Sequence, residues 1–328
     1  MKKTVAISIG DYNGIGPEVI LKTLSNYSAE NVAPLVLGHE KVLRHYDNSG
    51  DHHTVTKPED ALPGKVNVMN CVEEVQVDIT PGRVTKNAGA CSMEAVAKGI
   101  ELCLSGNADA LVTAPISKEA IQKAGYDVPG HTEFLAEKTE TEDFMMILAN
   151  EDLRVGLATI HVPLSAVPSL ITQKSLVRHL SILDKSLKRD FGRSSPKIAV
   201  FGLNPHAGDG GIIGTEEIDI IKPAIIHAQQ NGIEADGPFA ADGFFGNRMQ
   251  KRYDAILAMY HDQGLIPFKA LTFGTGVNFT AGLPIIRTSP DHGTAFDIAG
   301  QNKADHRSFE SAFLLAVQMA GNKNRESD

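Results

Sequence analysis

The stretch Asp254-Ala-Ile-Leu-Ala-Met-Tyr-His-Asp-Gln-Gly264 decides how this chain is expected to fold. Residues 255–259 form an apolar run with the length and character of a buried β-strand, and four polar side chains follow it at 260–263. In an open α/β sheet, ligands bind at the carboxyl ends of the strands. A buried strand that ends in His261 therefore predicts an α/β sheet with a site at its carboxyl edge.

Two other stretches of the chain have the same pattern. The run 153–160 leads into His161 and a proline, and the run 197–203 leads into Asn204-Pro-His206. Neutral imidazoles suit zinc and similar divalent metals, and three protein ligands leave a position open for water or substrate. Each histidine taken singly is more often a strand-end or core residue than a ligand. The threefold pattern makes His161, His206 and His261 a candidate metal site.

The composition is that of a soluble globular protein with one large or two ordinary domains. The chain has 328 residues, of which 42% are hydrophobic and 22% charged. Its net charge of -9 argues against nucleic acid or an anionic membrane as a partner, because both require a basic surface. Three cysteines without a Cys-x-x-Cys motif fit a reducing compartment, and no apolar run approaches the length of a membrane span. We therefore expect a cytoplasmic protein.

The remaining chain alternates strand and helix signals. Residues 4–9 predict a first buried strand, 88–103 a helix and 108–113 another strand. Residues 45–66 are polar and predict a surface loop or edge, in which His52 is interpreted as solvated. The strand–loop–helix alternation implies a mainly parallel sheet covered on both faces.

Two cationic side chains and one amide occur in or beside the glycine-rich connections near the end of the chain. These are Lys269, Asn278 and Arg287. One alone would be interpreted as a surface charge, but three in such positions suit a phosphate or a carboxylate. They are candidate anion-binding residues.

Two further segments carry polar side chains with two interpretations each. His131 and Thr132 stand at the start of a predicted helix, where they either cap it or present an imidazole and a hydroxyl to a substrate. Asp242 lies in a loop and is either a buried acid that orients a ligand histidine or part of a surface turn.

Several motifs of this chain resemble those of the 4-hydroxythreonine-4-phosphate dehydrogenase family, within the isocitrate/isopropylmalate dehydrogenase-like superfamily. The segment Asp291-His-Gly-Thr-Ala-Phe-Asp-Ile-Ala-Gly300 is similar to the superfamily loop that binds the adenosine part of NAD or NADP. The other matching motifs are Gly-Ile-Gly-Pro-Glu at 14–18, Thr-Ala-Pro at 113–115, Gly-His-Thr-Glu at 130–133, Gly-Leu-Asn-Pro-His-Ala-Gly at 202–208 and Tyr-His-Asp-Gln-Gly at 260–264. The resemblance therefore covers essentially the whole chain.

The resemblance implies a fold of two α/β/α domains with a cleft between them. We expect a discontinuous first domain, 1–128 plus 270–328, that carries the cofactor loop, and a second domain, 129–269, that carries the metal ligands and dimer contacts. The implied reaction is the oxidation of 4-phosphooxy-L-threonine by NAD or NADP, with a divalent metal such as zinc, cobalt or magnesium. The product, 2-amino-3-oxo-4-phosphooxybutanoate, would lose carbon dioxide to give 3-amino-2-oxopropyl phosphate, a step of pyridoxal phosphate biosynthesis.

The family's functional residues carry over onto matching positions of this chain. The resemblance implies a homodimer whose metal site is shared between the subunits, and it assigns the same three histidines as metal ligands. Candidate catalytic residues are His131, Lys269 and Asp242. Candidate substrate-binding residues are His131, Thr132, Lys269, Asn278 and Arg287, and candidate cofactor-binding residues are His292, Gly293, Ala295 and Asp297.

The chain departs from the family pattern in two places. Tyr12-Asn13 stands where the family usually has Pro-Ala, and Ile-Ile-Gly-Thr at 212–215 stands where relatives often have His-Met-Gly-Arg. Neither change touches the candidate metal ligands. Both leave details of substrate and cofactor open, including the choice between NAD and NADP.

Three other functions remain open from the sequence. A sister dehydrogenase on the same scaffold would act on D-threonate or erythronate 4-phosphate, or on an aromatic dihydrodiol. A metal-dependent hydrolase or decarboxylase would use the three histidines without a nicotinamide, but it would not need the loop at 291–300. A ligand-binding protein without catalysis would not need three histidines beside anion-binding cations.

Overall fold

The computed structural model of the chain describes residues 2–47, 52–74 and 77–323. These residues form two compact units. The first unit comprises residues up to Glu142 and then Leu283–Gly321, and the second comprises Asp143–Gly282 with Asn322 and Lys323. Among the described residues, no helix is both long and apolar enough to cross a membrane.

The strands of both units are numbered here in chain order. They are β1 Lys3–Ser8, β2 Val32–Gly38, β3 His52–Thr54, β4 Val66–Asn70, β5 Ala110–Thr113, β6 Met145–Ala149, β7 Arg154–Leu157, β8 Lys197–Phe201, β9 Glu234–Phe239, β10 Ala255–Ala258, β11 Val277–Ala281 and β12 Arg287–Pro290.

The α-helices are numbered in the same way. They are α1 Gly16–Ser25, α2 Glu40–Tyr46, α3 Lys86–Leu104, α4 Lys118–Lys123, α5 His131–Lys138, α6 Val167–Leu170, α7 Gln173–Arg189, α8 Lys222–Gln230, α9 Ala241–Gly246, α10 His261–Thr272 and α11 Arg307–Lys323.

The first unit is built on a parallel sheet with the strand order β3-β4-β2-β1-β5-β12. Its central strands are apolar and buried along nearly their whole length, as expected when both faces of a parallel sheet are covered. Strands β1, β5 and β12 are neighbours and run in the same direction, so their carboxyl ends lie at one edge. The turn after β1, the Thr-Ala-Pro segment and the loop at 291–300 all begin at that edge.

The second unit has the strand order β11-β6-β7-β10-β8-β9. Strand β6 is antiparallel to both β11 and β7, whereas β7, β10, β8 and β9 pair in parallel. The predicted mainly parallel sheet is confirmed, with β6 as the exception. Because β10 lies between β7 and β8, the carboxyl ends that precede the three candidate histidines are adjacent.

Helix α10 lies against these strands because residue 264 is a glycine. A Cβ atom there would lie 2.8 Å from Val155 Cγ1, 2.9 Å from Leu157 Cδ2 and 3.1 Å from Ala258 Cβ. The helix contributes Leu265 and Phe268 to a buried apolar cluster with the strand residues. The close approach holds His261, the first residue of α10, above the end of β10.

The strands and helices expected at 4–9, 88–103 and 108–113 are present with ends shifted by one or two residues. Residues 45–66 are less uniform than predicted. Residues 48–51 lie outside the described residues, but β3 follows them as the edge strand of its sheet. The prediction that His52 is solvated is wrong, because only 3% of its side chain is exposed.

The compact units have different bounds from the domains expected from the sequence. Helix α5 belongs to the first unit, where Phe134 contacts Tyr126 with ring centroids 6.2 Å apart. Strand β11 belongs to the second unit because it pairs along its whole length with β6. The boundaries therefore fall at 142/143 and 282/283 rather than at 128/129 and 269/270.

A methyl group at residue 264 should disturb the packing of α10 against β7 and β10. We expect Gly264→Ala to lower the free energy of unfolding by about 1–3 kcal/mol, because two branched side chains must shift to make room. Gly246→Ala is the matched control, since nothing lies within 4 Å of a Cβ atom there. Denaturant unfolding of both variants checks this prediction, and equal stabilities would contradict it.

Candidate functional site

The three candidate histidines follow three adjacent parallel strands of the second unit. His161 lies four residues beyond the end of β7, and His261 begins α10 just after β10. His206 lies in an irregular turn, Pro205–Gly211, after β8. The strand order β7-β10-β8 thus brings all three to one edge of the sheet. This is the edge at which open α/β sheets bind ligands.

His161 and His261 are close together. Their ring centroids are 5.8 Å apart and the ring planes are inclined by 44°. Two hydrogen bonds beyond the ends of β7 and β10 keep these segments side by side: Ala158 N donates to Ala258 O at 2.8 Å, and Thr159 Oγ1 donates to Met259 O at 2.8 Å. The two imidazoles form an accessible pair at a rigidly held strand edge.

The residues that follow His261 orient it. Asp262 Oδ1 lies 2.7 Å from His261 Nδ1, so the carboxylate accepts from an Nδ1–H and leaves Nε2 available as a ligand nitrogen. Gln263 joins two strand ends, because its Oε1 accepts from Met259 N and its Nε2 donates to Gly202 O, both at 2.7 Å. The motif quoted from the sequence therefore contains a ligand candidate, its orienting carboxylate and an amide cross-link.

His206 is held on an unusual turn. Residues 206–210 all have positive φ angles, between 45° and 81°, and three of them are not glycine. Such left-handed conformations cost about 1–2 kcal/mol for each residue with a Cβ atom. The turn persists because the buried Glu217 accepts from Asn204 N at 2.7 Å and from Asn204 Nδ2 at 3.0 Å. The exposed His206 is thus fixed in a strained backbone of the kind found at functional sites.

The described part of one chain does not bring three candidate metal ligands together. Among residues 2–47, 52–74 and 77–323, no three histidine, cysteine or acidic side chains are grouped closely enough to hold a metal ion. His161 and His261 form a pair. His206 does not lie close enough to this pair to make a group of three ligands. The donor set nevertheless fits a divalent metal, because it offers imidazoles at a strand edge and one of them already has a carboxylate partner.

The other candidates of the second unit lie in different settings. Asn278, on β11, has a buried Oδ1 for which the described residues provide no hydrogen-bond partner. Lys269 is exposed on α10. Asp242 is exposed on the first turn of α9 rather than buried in a loop, so the buried alternative for this acid is wrong. The acid in contact with a histidine ring is instead Asp262.

In the first unit, the candidate anion-binding residue Arg287 is buried next to Thr113. Arg287 is only 2% exposed, and its Nε and Nη2 donate to Thr113 Oγ1 at 3.1 and 2.6 Å. Burial lowers the pKa of Arg287 to about 9, against the opposing effect of Glu133. A buried guanidinium of this kind is stabilised by a bound phosphate or carboxylate.

His131 lies in the field of this guanidinium. Burial of the ring, and then the positive charge of Arg287, hold the pKa of His131 well below its usual range. Its Nε2 is buried, and no described residue forms a hydrogen bond with it. His131 is therefore a neutral imidazole with an unused nitrogen beside a buried cation. Thr132, the next residue of α5, is partly exposed.

The loop at 291–300 begins where β12 ends and contacts the turn after β1. Ile15 N donates to Thr294 O at 2.9 Å, and a Cβ atom on Gly14 would lie 2.8 Å from the same oxygen. The buried Nε2 of His292 has no partner among the described residues, and Gly293 and Asp297 are exposed. Ala295 has a φ of 41°, which marks a tight turn. The loop thus offers exposed backbone and one unused imidazole nitrogen to a ligand, which fits a dinucleotide.

Asp11 is a buried acid in the turn after β1 that sequence reasoning missed. It is fully buried, its Oδ1 accepts from Asn13 N at 3.0 Å, and its Oδ2 has no partner among the described residues. Burial raises its pKa to about 6. The sequence alone also assigns no role to Thr113 or Gln263, although both belong to motifs quoted from it. Their roles depend on residues that are far away along the chain.

Solved structures show which class of protein has this fold. A 4-hydroxythreonine-4-phosphate dehydrogenase from Klebsiella pneumoniae matches with a TM-score of 0.88 and 38% identity over 98% of this chain and 100% of that one. A terephthalate 1,2-cis-dihydrodiol dehydrogenase from Burkholderia xenovorans LB400 matches with a TM-score of 0.70 and 28% identity over 97% and 98%. The α/β fold of the isocitrate/isopropylmalate dehydrogenase-like type is confirmed, and the chain has the fold of a dehydrogenase.

Sequence comparisons show the family. The model of the family described as pyridoxal phosphate biosynthetic protein PdxA matches residues 30–316. Relatives named 4-hydroxythreonine-4-phosphate dehydrogenase are 48% identical in Prosthecochloris aestuarii, over 99% of both chains, and 42% identical in Bacteroides thetaiotaomicron, over 99% of this chain and 91% of that one. This chain belongs to the PdxA family, as its motifs predicted.

The buried carboxyl of Asp11 should make stability depend on pH. Its pKa is raised from 3.8 to about 6 on folding, so the folded state binds the proton more tightly and loses stability as pH rises between these values. Asp11→Asn removes this loss. We expect the variant to gain about 3 kcal/mol in free energy of unfolding over the natural protein between pH 4 and pH 7.5.

Denaturant unfolding at several pH values measures this difference. Asp127→Asn, at an exposed position, controls for the removal of one negative charge. A difference between Asp11→Asn and the natural protein that is the same at pH 4 and pH 7.5 would show that burial of Asp11 imposes no such penalty.

Proposed function

We propose that this chain oxidises 4-phosphooxy-L-threonine to 2-amino-3-oxo-4-phosphooxybutanoate, with NAD or NADP as the hydride acceptor. The product is a β-keto acid, and it would lose carbon dioxide to give 3-amino-2-oxopropyl phosphate. The observation that carries the proposal is full-length similarity, at up to 48% identity, to relatives that bear the name of this activity. The local geometry of each unit supplies groups that the chemistry needs.

The first unit would bind a charged end of the substrate. Arg287 is a buried cation and donates to Thr113, so an incoming phosphate or carboxylate finds a positioned donor in a region of low dielectric. His131 adds a neutral imidazole whose Nε2 has no other partner among the described residues. A neutral ring can exchange a proton with a substrate hydroxyl, which makes His131 the candidate for general acid–base catalysis. Thr132 would add a hydroxyl beside it.

The second unit would supply the metal ligands and further polar contacts. His161, His206 and His261 would hold a divalent ion such as zinc, cobalt or magnesium. When bound, such an ion would supply Lewis acidity at the hydroxyl oxygen of the carbon that is oxidised. Asp262 fixes the tautomer of His261, and Asn278 has a buried carbonyl oxygen free to accept from the substrate. Lys269 would add positive charge for the anionic groups, and Asp242 is a weaker candidate for proton relay because it is exposed.

We propose that two copies of the chain form a homodimer and share this metal site. The described residues of one chain do not group three ligands, although three imidazoles stand at one strand edge. Large apolar side chains are exposed in the segments that follow His161 and His206, including Val162 at 38%, Leu164 at 69% and Ile212 at 83%. Exposed apolar residues of this size mark a contact surface. A second copy would cover them and complete the ligand set.

The cofactor would bind at the loop 291–300 through His292, Gly293, Ala295 and Asp297. This placement is supported by the unused Nε2 of His292 and by the exposed backbone around Gly293. We place the reaction in the cytoplasm, where free thiols such as Cys71, Cys91 and Cys103 stay reduced. Neither nucleic acid nor a membrane is expected as a partner of this acidic chain.

A sister activity is the alternative to test. The dihydrodiol dehydrogenase with a TM-score of 0.70 shows that the scaffold also carries another substrate class. Its identity of 28% is well below that of the relatives named for 4-hydroxythreonine 4-phosphate. The same assay can include D-threonate 4-phosphate and D-erythronate 4-phosphate.

The proposed reaction predicts reduction of NAD or NADP by 4-phosphooxy-L-threonine. Absorbance at the nicotinamide band, with purified protein and added zinc, cobalt or magnesium, measures this reaction. We expect a chelator to abolish it and the metal to restore it. Turnover of the sugar acid phosphates alone would assign a sister activity. Absence of nicotinamide reduction with every substrate, in protein shown to bind metal, would exclude a dehydrogenase of this group.

The metal role predicts a selective effect of His261→Ala. We expect kcat/KM to fall about 100-fold or more, together with weaker binding of cobalt measured by its visible absorption. His227→Ala, at an exposed histidine on α8, is the matched control. Cobalt binding that is the same in both variants would remove His261 from the ligand set.

A further inference from the structure

The turn after β1 contains a buried amide that holds a distant segment of the first unit. Asn13 is fully buried. Its Oδ1 accepts from Thr80 N at 2.8 Å, its backbone oxygen accepts from Gly82 N at 2.7 Å, and its Nδ2 donates to Thr85 Oγ1 at 3.1 Å. We call these three hydrogen bonds the Asn13 latch. They fasten residues 80–85 to the turn.

The neighbouring Tyr12 reinforces the latch. Tyr12 is fully buried, and its hydroxyl accepts from Asp78 N at 3.4 Å. Tyr46 Oη donates to the backbone oxygen of Tyr12 at 2.8 Å. The pair Tyr12-Asn13 is one of the two places where the chain departs from the family pattern. Proline and alanine at these positions could provide none of the side-chain hydrogen bonds.

The latched segment lies directly against the loop 291–300. A Cβ atom on Gly82 would lie 3.0 Å from Phe296 O, and one on Gly300 would lie 3.0 Å from Pro81 Cβ. The turn itself also touches the loop, through the hydrogen bond from Ile15 N to Thr294 O. The loop is therefore supported on one side by the turn and on the other by the segment that Asn13 holds.

The segment also shapes a cavity beside the loop. Pro81 lines a space of about 280 Å³ together with Ala299, Gly300 and Asn302. Glu18, His45 and Tyr46 complete its lining. If residues 80–85 moved away from the turn, Pro81 would leave this wall. The latch thus holds a segment that contacts the loop and forms part of the cavity wall.

We propose that Asn13 is a positioning residue for the dinucleotide, acting through residues 80–85 on the loop 291–300. It holds the segment in place before the cofactor arrives, so that less ordering is required on binding. The inference rests on the proposed function, because it takes that loop as the cofactor site. Asn13 acts through the segment and makes no contact with the reacting atoms.

The test compares Asn13→Ala with a matched buried asparagine. Asn67 is also fully buried in the first unit, where its Oδ1 accepts from Leu62 N and its Nδ2 donates to backbone oxygens of Pro34, Leu62 and Lys65. Both alanine variants remove a network of buried side-chain hydrogen bonds, and only one of these networks reaches residues 80–85. Calorimetric titration gives the dissociation constants for NAD and NADP. Hydrogen exchange of the protein without cofactor measures how strongly the amides of the loop 291–300 are protected.

We expect Asn13→Ala to weaken binding of the preferred dinucleotide about tenfold and Asn67→Ala to leave it within about twofold of the natural value. Amide exchange at 291–300 should accelerate in Asn13→Ala alone. The kcat at saturating cofactor should stay nearly unchanged, because a positioning role is exerted through binding. Equal dissociation constants and equal loop exchange in the two variants would overturn the proposal.

Tyr12→Phe is the second variant, because it removes one hydroxyl and keeps the ring. We expect it to weaken dinucleotide binding about two- to threefold and to accelerate exchange near residue 78, even if Asn13→Ala does not fold. No change in either measurement would count against the latch.

The two proposals fail in different ways. If the natural protein binds neither NAD nor NADP, the cofactor assignment fails and Asn13 has no role in dinucleotide binding. If the natural protein binds a dinucleotide but Asn13→Ala binds it equally well, only the latch is overturned.

Discussion

The candidate site depends first on the parallel pairing of neighbouring strands in each unit. In the second unit, β10 lies between β7 and β8 in parallel register, so three strands deliver a histidine each to the same edge. Hydrogen bonds beyond the strands, from Thr159 to Met259 and from Gln263 to Gly202, extend this order into the site. In the first unit, the same rule brings together the turn after β1, Thr113 at the end of β5 and the loop after β12. The order of the strands thus decides which candidate residues lie close together.

Buried polar atoms without partners occur at several of the candidate residues. Folded proteins satisfy most buried donors and acceptors, since an unpaired buried group costs about 1–3 kcal/mol. Here the Nε2 atoms of His131 and His292 and the Oδ1 atom of Asn278 have no partner among the described residues. Each is a residue that the sequence had nominated for a ligand. A substrate or cofactor that supplied the missing partner would recover that cost as binding energy.

The two units combine rigidity with local strain. His206 is the first of six consecutive residues with positive φ, and Glu217 and Asn204 hold that turn by hydrogen bonds. The Asn13 latch instead fastens residues 80–85 to the turn after β1 by three hydrogen bonds. In both cases an asparagine near the end of a strand ties together segments of irregular backbone. These hydrogen bonds hold residues in backbone conformations that their local preferences would not favour.

The sequence by itself determined the alternation of strands and helices, the three histidines at strand ends and the family, because apolar periodicity and short motifs are local properties. It did not determine that His52 would be buried or that Asp242 would be exposed, because both depend on which elements pack above them. It also could not show that Arg287 donates to Thr113, 174 residues away, or that burial of the ring, and then the charge of Arg287, would lower the pKa of His131. Those features arise from contacts between distant segments, and only the tertiary structure decides which strand ends become neighbours and how far water is excluded from them.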